Sequence, residues 1–77
     1  MERIDPYPYR SLDEMFQRRR ELTEKFKKEE LSVDEAKELY KILGKEREMA
    51  MYENDTEAVV AIELLRAIVG AKYQLED

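Results

Sequence analysis

The chain has 77 residues, of which 43% are charged, and it carries a net charge of −5 with neither cysteine nor histidine. A chain of this length forms one small domain at most. The missing residue types exclude disulfides, cysteine nucleophiles and the ordinary zinc ligands, and the usual general base at neutral pH is absent as well. We therefore expect a non-enzymatic protein that needs no cofactor.

The acidic balance disfavours a dedicated polyanion binder, so nucleic acid is not the expected partner. The acidic residues fall at helix ends and outer faces, without the inward-facing carboxylate pattern of a helical metal site. We therefore predict no metal.

Neither a leader nor a membrane span is expected. Charges and prolines stand at the start of the chain, where a secretory signal would have an apolar stretch. The most apolar stretch, residues 58–71, is interrupted by Glu63 and Arg66, and it is shorter than the ~20 residues that a membrane span needs. We expect no membrane partner and a cytoplasmic location.

Residues 1–10 contain two prolines, Pro6 and Pro8, each followed by a tyrosine. Prolines at this spacing prevent a helix and favour an extended, polyproline-like arm. Tyr7 and Tyr9 would lie on roughly the same side of this arm. Two interpretations stay open: the tyrosines pack onto the helical domain of residues 11–77, or they form a partner-docking arm for another chain.

The first helix is predicted over about 11–29. Ser11 and Glu14 have the spacing of a capping box, in which the serine hydroxyl and the glutamate each satisfy a free backbone N–H. Apolar residues then recur at helical spacing and predict one buried face. They are Leu12, Met15, Phe16, Leu22 and Phe26.

The second helix is predicted over about 33–52. Ser32 and Glu35 form a second capping box, so residues 30–32 are the turn between antiparallel helices. Its expected apolar face consists of Val33, Ala36, Leu39, Tyr40, Leu43, Ala50 and Met51. Ile42 and Met49 form a smaller patch about 100° or more away from that face.

The third helix is predicted over about 56–75, capped by Asn54 or Asp55. Its polar residues occupy one stripe: Thr56, Glu63, Arg66, Gly70 and Gln74. Apolar residues fill an arc of about 240–280° around the rest of the helix. A stripe that faces solvent would make Glu63→Lys a mild change.

That arc is wider than a three-helix monomer covers, and it predicts a partner. We expect an all-α, antiparallel three-helix bundle that dimerises through the third helix, most simply with two-fold symmetry. The predicted interface consists of Val60, Ile62, Leu64, Leu65, Ile68 and Val69.

Two arginines fall inside apolar faces, Arg19 on the first helix and Arg47 on the second. A buried guanidinium has to be paired. Three interpretations stay open. The stems pack along the core while the heads reach carboxylates, or the arginines fix register across a subunit interface. In the third, they grip a small anion in a pocket, as in an enzyme or sensor.

Residues 17–28 hold six basic and two acidic residues. In a helix these charges spread around the cylinder, and the acids stand at pairing distance from the bases. A solvated, salt-bridged face is expected. The alternative is a nucleic-acid-binding regulator that uses this basic run: Arg18, Arg19, Arg20, Lys25, Lys27 and Lys28.

The function favoured by these patterns is that of a small helical interaction or regulatory protein. It would act through protein–protein association, with a second copy of itself as the first expected partner and another protein as the second. The capping boxes and apolar faces are generic to helical bundles and indicate no particular family.

Overall fold

The computed structural model describes residues 5–75, and it confirms the predicted all-α three-helix bundle. The helices are α1 (Leu12–Lys27), α2 (Val33–Tyr52) and α3 (Thr56–Tyr73). No strand occurs within residues 5–75. Residues 76–77 of the predicted helical domain lie outside the described part of the chain.

Each helix begins at a side-chain cap. The Ser32 capping box is complete: Ser32 Oγ accepts from the Glu35 N–H, and Glu35 accepts from the Ser32 N–H, both at 3.1 Å. Ser11 caps α1 in the same way, but Glu14 accepts from the Arg10 N–H and not from Ser11. Asp55 caps α3 by accepting from the Ala58 N–H at 3.1 Å.

A residue with left-handed backbone follows the end of each helix within one or two positions: Glu29, Asn54 and Gln74. In each case the next N–H bonds to a carbonyl five residues back, as for Leu75 and Gly70 at 2.8 Å. This bond ends the helix because the carbonyl accepts from an N–H five residues on, and not from the N–H four residues on that would continue the helix. It explains why α1 and α3 end two residues before the predicted limits of 29 and 75.

Helix α2 lies at the centre of the fold and packs against both α1 and α3, while α1 and α3 do not pack closely against each other. Two adjacent residues of α2, Ile42 and Leu43, are both buried, although they lie on different sides of the helix. The minor patch predicted at Ile42 and Met49 is therefore part of the core. The buried core consists of Met15, Leu22, Leu31, Ala36, Leu39, Ile42, Leu43 and Val69.

The structure corrects the expected apolar face of α2 at two residues. Val33 and Met51 are exposed, because they lie in the first and last turns of the helix. The other residues predicted for that face are buried or half-buried.

Part of the polar stripe of α3 packs against α2 and is not left to solvent. The Arg66 guanidinium lies 3.9 Å from the centre of the Tyr40 ring. Gly70 is buried against the same ring, and Glu63 pairs with Arg47 at 2.8 Å. Because Gly70 has no side chain, α3 can approach Tyr40 closely. The orientation of α3 about its own axis therefore depends on a glycine.

The extended arm expected over residues 1–10 is wrong for its described part; residues 1–4 lie outside that part. Residues 6–9 form a turn in which the Tyr9 N–H donates to the Pro6 carbonyl at 2.8 Å. Lys45 Nζ holds the turn against α2 by donating to the Asp5 and Tyr7 carbonyls, both at 2.6 Å. The segment folds back because of a tertiary contact: Lys45, about 40 residues away, donates hydrogen bonds to these carbonyls.

The two glycines give a matched test of the α2–α3 contact. A methyl group on Gly70 would lie 2.9 Å from Tyr40 Cε1, whereas one on Gly44 would lie 3.4 Å from Arg66 Nε. Both changes gain helix propensity, up to about 1 kcal/mol, but overpacking at Gly70 costs about 1–3 kcal/mol. In urea unfolding, we expect Gly44→Ala to hold or raise stability and Gly70→Ala to fall at least about 1 kcal/mol below it. Equal stability of the two variants would contradict the close contact.

Candidate interaction site on helix α3

An apolar face of α3 stays exposed in the folded chain. Val60, Leu64 and Ile68 follow one another at four-residue intervals and are 52%, 61% and 54% exposed. Exposed alanines flank them, and all six residues fall within an arc of about 120°. We call this surface the α3 face; it consists of Val60, Ala61, Leu64, Ala67, Ile68 and Ala71.

The six predicted interface residues separate into two groups. Val69 is fully buried in the chain's own core, and Ile62 and Leu65 pack against that core. Val60, Leu64 and Ile68 point away from it. The separation arises because α3 packs on α2 through one side only, and residues 62, 65 and 69 lie on that side.

The α3 face has opposite charges at its two ends. Glu57 is exposed in the first turn of α3, and Lys72 is exposed in the last. Lys72 Nζ lies 3.6 Å from a carboxylate oxygen of Glu29 and 5.3 Å from the centre of the Phe26 ring. The start of the face is therefore acidic, and its end carries a cation that Glu29 partly compensates.

Arg19 and Arg47 do not come together. Arg19 Nε donates to Glu46 at 3.0 Å and lies in a recess of about 270 Å³ beside Phe16 and Ile62. Arg47 Nε donates to Glu63 at 2.8 Å and lines a different groove. The structure thus shows both heads paired within the chain, and a single anion pocket gripped by both arginines is not formed.

The N-terminal tyrosines also separate. Tyr9 packs against the core, and its hydroxyl donates to Glu38. Tyr7 is 74% exposed. The structure therefore uses Tyr9 to attach the turn to α2 and leaves Tyr7 on the surface.

Arg18 and Glu38 form the densest polar cluster of the fold. Arg18 bonds Glu38 through Nε at 3.0 Å and through Nη2 at 3.1 Å, in the two-pronged geometry that guanidinium favours. The hydrogen bonds from Arg18 lower the pKa of Glu38. Burial, followed by the hydrogen bond to Glu38, raises the pKa of Tyr9.

A neighbouring pair extends this cluster along α1. Lys25 Nζ lies 2.5 Å from Glu35, and its hydrogen bond, together with that from the Ser32 backbone, lowers the pKa of Glu35 to about 2. Together with Arg18, these contacts fasten α1 to the start of α2. The sequence predicted pairing with acids of the same helix, and Glu21 does pair with Arg18. The partners Glu35 and Glu38, however, are on α2.

The basic run is salt-bridged as predicted. Within residues 5–75, ion pairs engage four of its six cations, namely Arg18, Arg19, Lys25 and Lys27. Each engaged cation has a carboxylate within 4.0 Å, which reduces its attraction for phosphate.

Sequence reasoning missed a row of three lysines on α2: Lys37, Lys41 and Lys45. They line one side of a groove of about 840 Å³. The signal was in the sequence, since residues at i, i+4 and i+8 share one face of a helix. The row is less apparent in the sequence because Glu38 follows Lys37 and Glu46 follows Lys45 directly.

Within residues 5–75, no helix is long and apolar enough to cross a membrane, and no group of three carboxylates is placed to hold a metal ion. Comparisons of the chain with protein-family models, with characterised proteins and with solved structures give no match. The functional argument therefore depends on the surfaces of the molecule itself.

The lowered pKa values of Glu35 and Glu38 predict acid sensitivity. A carboxyl whose pKa is lower in the folded state adds stability above its unfolded value of 4.5, and this stability is lost as the pH falls through the folded pKa. We expect the free energy of unfolding to fall between pH 5 and pH 2, as measured by urea titration at each pH.

Glu38→Gln should lower stability at pH 7 by about 1–2 kcal/mol, because glutamine offers Arg18 and Tyr9 one neutral acceptor oxygen in place of two charged ones. The same variant should show a shallower loss on acidification. Glu30→Gln, an exposed change of the same kind, serves as the control and should do neither. An acid profile that Glu38→Gln leaves unchanged would contradict this role.

Proposed function

We propose that this protein is a small, non-enzymatic interaction protein that acts by association through the α3 face, with a second copy of itself as the partner. One observation carries the proposal: three large apolar side chains stand on one face of a helix that packs on α2 alone. A continuous exposed apolar surface is typical of an interaction site, and two-fold pairing of one surface with itself is the simplest way to cover it.

The charges at the ends of the face favour an antiparallel pair. A two-fold axis at Leu64 places Leu64 against its own copy and Val60 against Ile68 of the other copy. Glu57 then lies near Lys72 of the other copy. The positive end of each helix dipole also lies beside the negative end of the other, which is favourable. A parallel pair would place Glu57 against Glu57, where like charges repel.

The size of the face implies weak association. About half of each large side chain remains to be covered, and burying that area contributes on the order of 1 kcal/mol for each residue. The losses of translational and side-chain freedom oppose this gain. We therefore expect dissociation constants in the micromolar range or weaker, which makes assembly sensitive to concentration.

Leu64→Glu tests the proposal directly. Two glutamates would face each other across the two-fold axis, so the variant should be monomeric at concentrations at which the unchanged chain dimerises, as measured by sedimentation equilibrium. The control is Val33→Glu, the same change at a similarly exposed residue in the first turn of α2, where an acid suits the helix N-terminus. It should dimerise normally. A chain that stays monomeric at millimolar concentration would disprove self-association.

Cysteine cross-linking tests the orientation, and the absence of native cysteine makes each introduced thiol unique. In an antiparallel pair, Leu64→Cys should form a disulfide dimer, because the two residues meet at the axis. Val60→Cys alone should not, whereas Val60→Cys mixed with Ile68→Cys should. Efficient cross-linking of Val60→Cys to itself would show a parallel pair and contradict the antiparallel arrangement.

A further inference from the structure

A basic groove lies beside α3, on residues that do not belong to the α3 face. Its volume is about 840 Å³, and the row of lysines on α2 forms one wall. Arg47 and Arg66 also line it, but Arg47 is paired with Glu63 and Arg66 stacks on Tyr40. Among the lining residues within 5–75, Glu48 is the one carboxylate. A net positive groove is therefore built into a chain whose net charge is −5.

Among the described residues, the lysines of this groove differ from most cations of α1 in having no carboxylate partner. Within residues 5–75, neither Lys37 nor Lys41 makes an ion pair, and both are exposed. Lys45 donates to two backbone carbonyls, which leave its charge uncompensated. Since most cations of α1 are paired, this concentration of unpaired charge marks the groove as a place for an external anion.

The inner surface of the groove is partly apolar. Tyr40, Gly44 and Leu75 line it between the charged side chains. A ligand that fits both features carries acidic groups together with at least one apolar group. An inorganic anion would leave this apolar area uncovered.

The spacing of the lysines matches that of a peptide. Residues four apart on a helix are separated by about 6 Å along its axis, and alternate side chains of an extended strand are separated by about 6.6 Å. Carboxylates at alternate positions can therefore meet successive lysines. The residues between them can turn toward Tyr40 and Leu75.

We propose that this groove binds an acidic segment of a partner protein, with carboxylates on Lys37 and Lys41 and an apolar side chain against Tyr40 and Leu75. Nucleic acid fits less well. Arg66 already covers one face of Tyr40, the ring on which a base would stack, and the net charge of the chain repels a polyanion. The proposal does not depend on self-association, because the α3 face shares no residue with the groove.

The test measures binding of a fluorescein-labelled probe peptide to the full chain by fluorescence anisotropy at about 50 mM salt, where charge attraction is weakly screened. The probe has glutamates at three alternate positions, with leucine and serine between them. Its control peptide has glutamines at the same positions. A single-stranded oligonucleotide of similar length, carrying the same label, is titrated in parallel.

The deciding variant is Lys37→Gln with Lys41→Gln, two exposed changes that leave the Lys45 contacts intact. The matched control is Lys27→Gln with Lys28→Gln, which removes the same charge from the end of α1. We expect the acidic peptide to bind the unchanged chain and the control variant alike, and to bind the deciding variant about tenfold more weakly. Binding should also weaken as salt rises.

Three outcomes would overturn the proposal. The first is equal binding of the acidic and glutamine peptides, or no binding of either. The second is equal weakening by the two double variants, which would show a general charge effect and no site. The third is tighter, lysine-dependent binding of the oligonucleotide, which would assign the groove to nucleic acid.

Discussion

The burial of α2 on two sides is the constraint on which the rest of this structure depends. Ile42 and Leu43 are adjacent in sequence and are both buried, so α2 needs a helix on each of these sides. Helix α1 supplies Met15 and Leu22, and α3 supplies Val69. Because α1 and α3 both pack against α2, neither of them covers the outer side of the other. The exposed face of α3 is a direct consequence of placing the middle helix at the centre.

Polar contacts then decide how the outer elements are held on α2. Glu38 accepts from Arg18 of α1 and from Tyr9 of the N-terminal turn, so one carboxylate joins three segments of the chain. Lys45 holds the same turn through its backbone carbonyls. On the other side of α2, the stacking of Arg66 on Tyr40 and the close approach at Gly70 orient α3. These contacts have different chemistry, but all of them end on α2.

The same arrangement produces two surfaces of opposite character on either side of α3. One is the apolar α3 face, which suits a second copy of the chain. The other is the groove lined by Lys37, Lys41 and Lys45, which have no carboxylate partner within residues 5–75 and for which we propose an acidic segment. The two proposals together assign two separate surfaces to two different partners.

The three helices, the caps at Ser11 and Ser32 and the excess of apolar residues on the third helix can all be read from the sequence. These features follow from local rules, since a cap and a helical face involve residues three or four apart. Helix packing sets which residues of that apolar arc meet α2 and which stay exposed, because the contact between Gly70 and Tyr40, 30 residues apart, orients α3 about its own axis. The partners of Arg18, Arg19 and Arg47 and the folding back of the N-terminal turn were decided in the same way. Each of these contacts joins residues at least 16 positions apart, and their meeting depends on how whole helices pack.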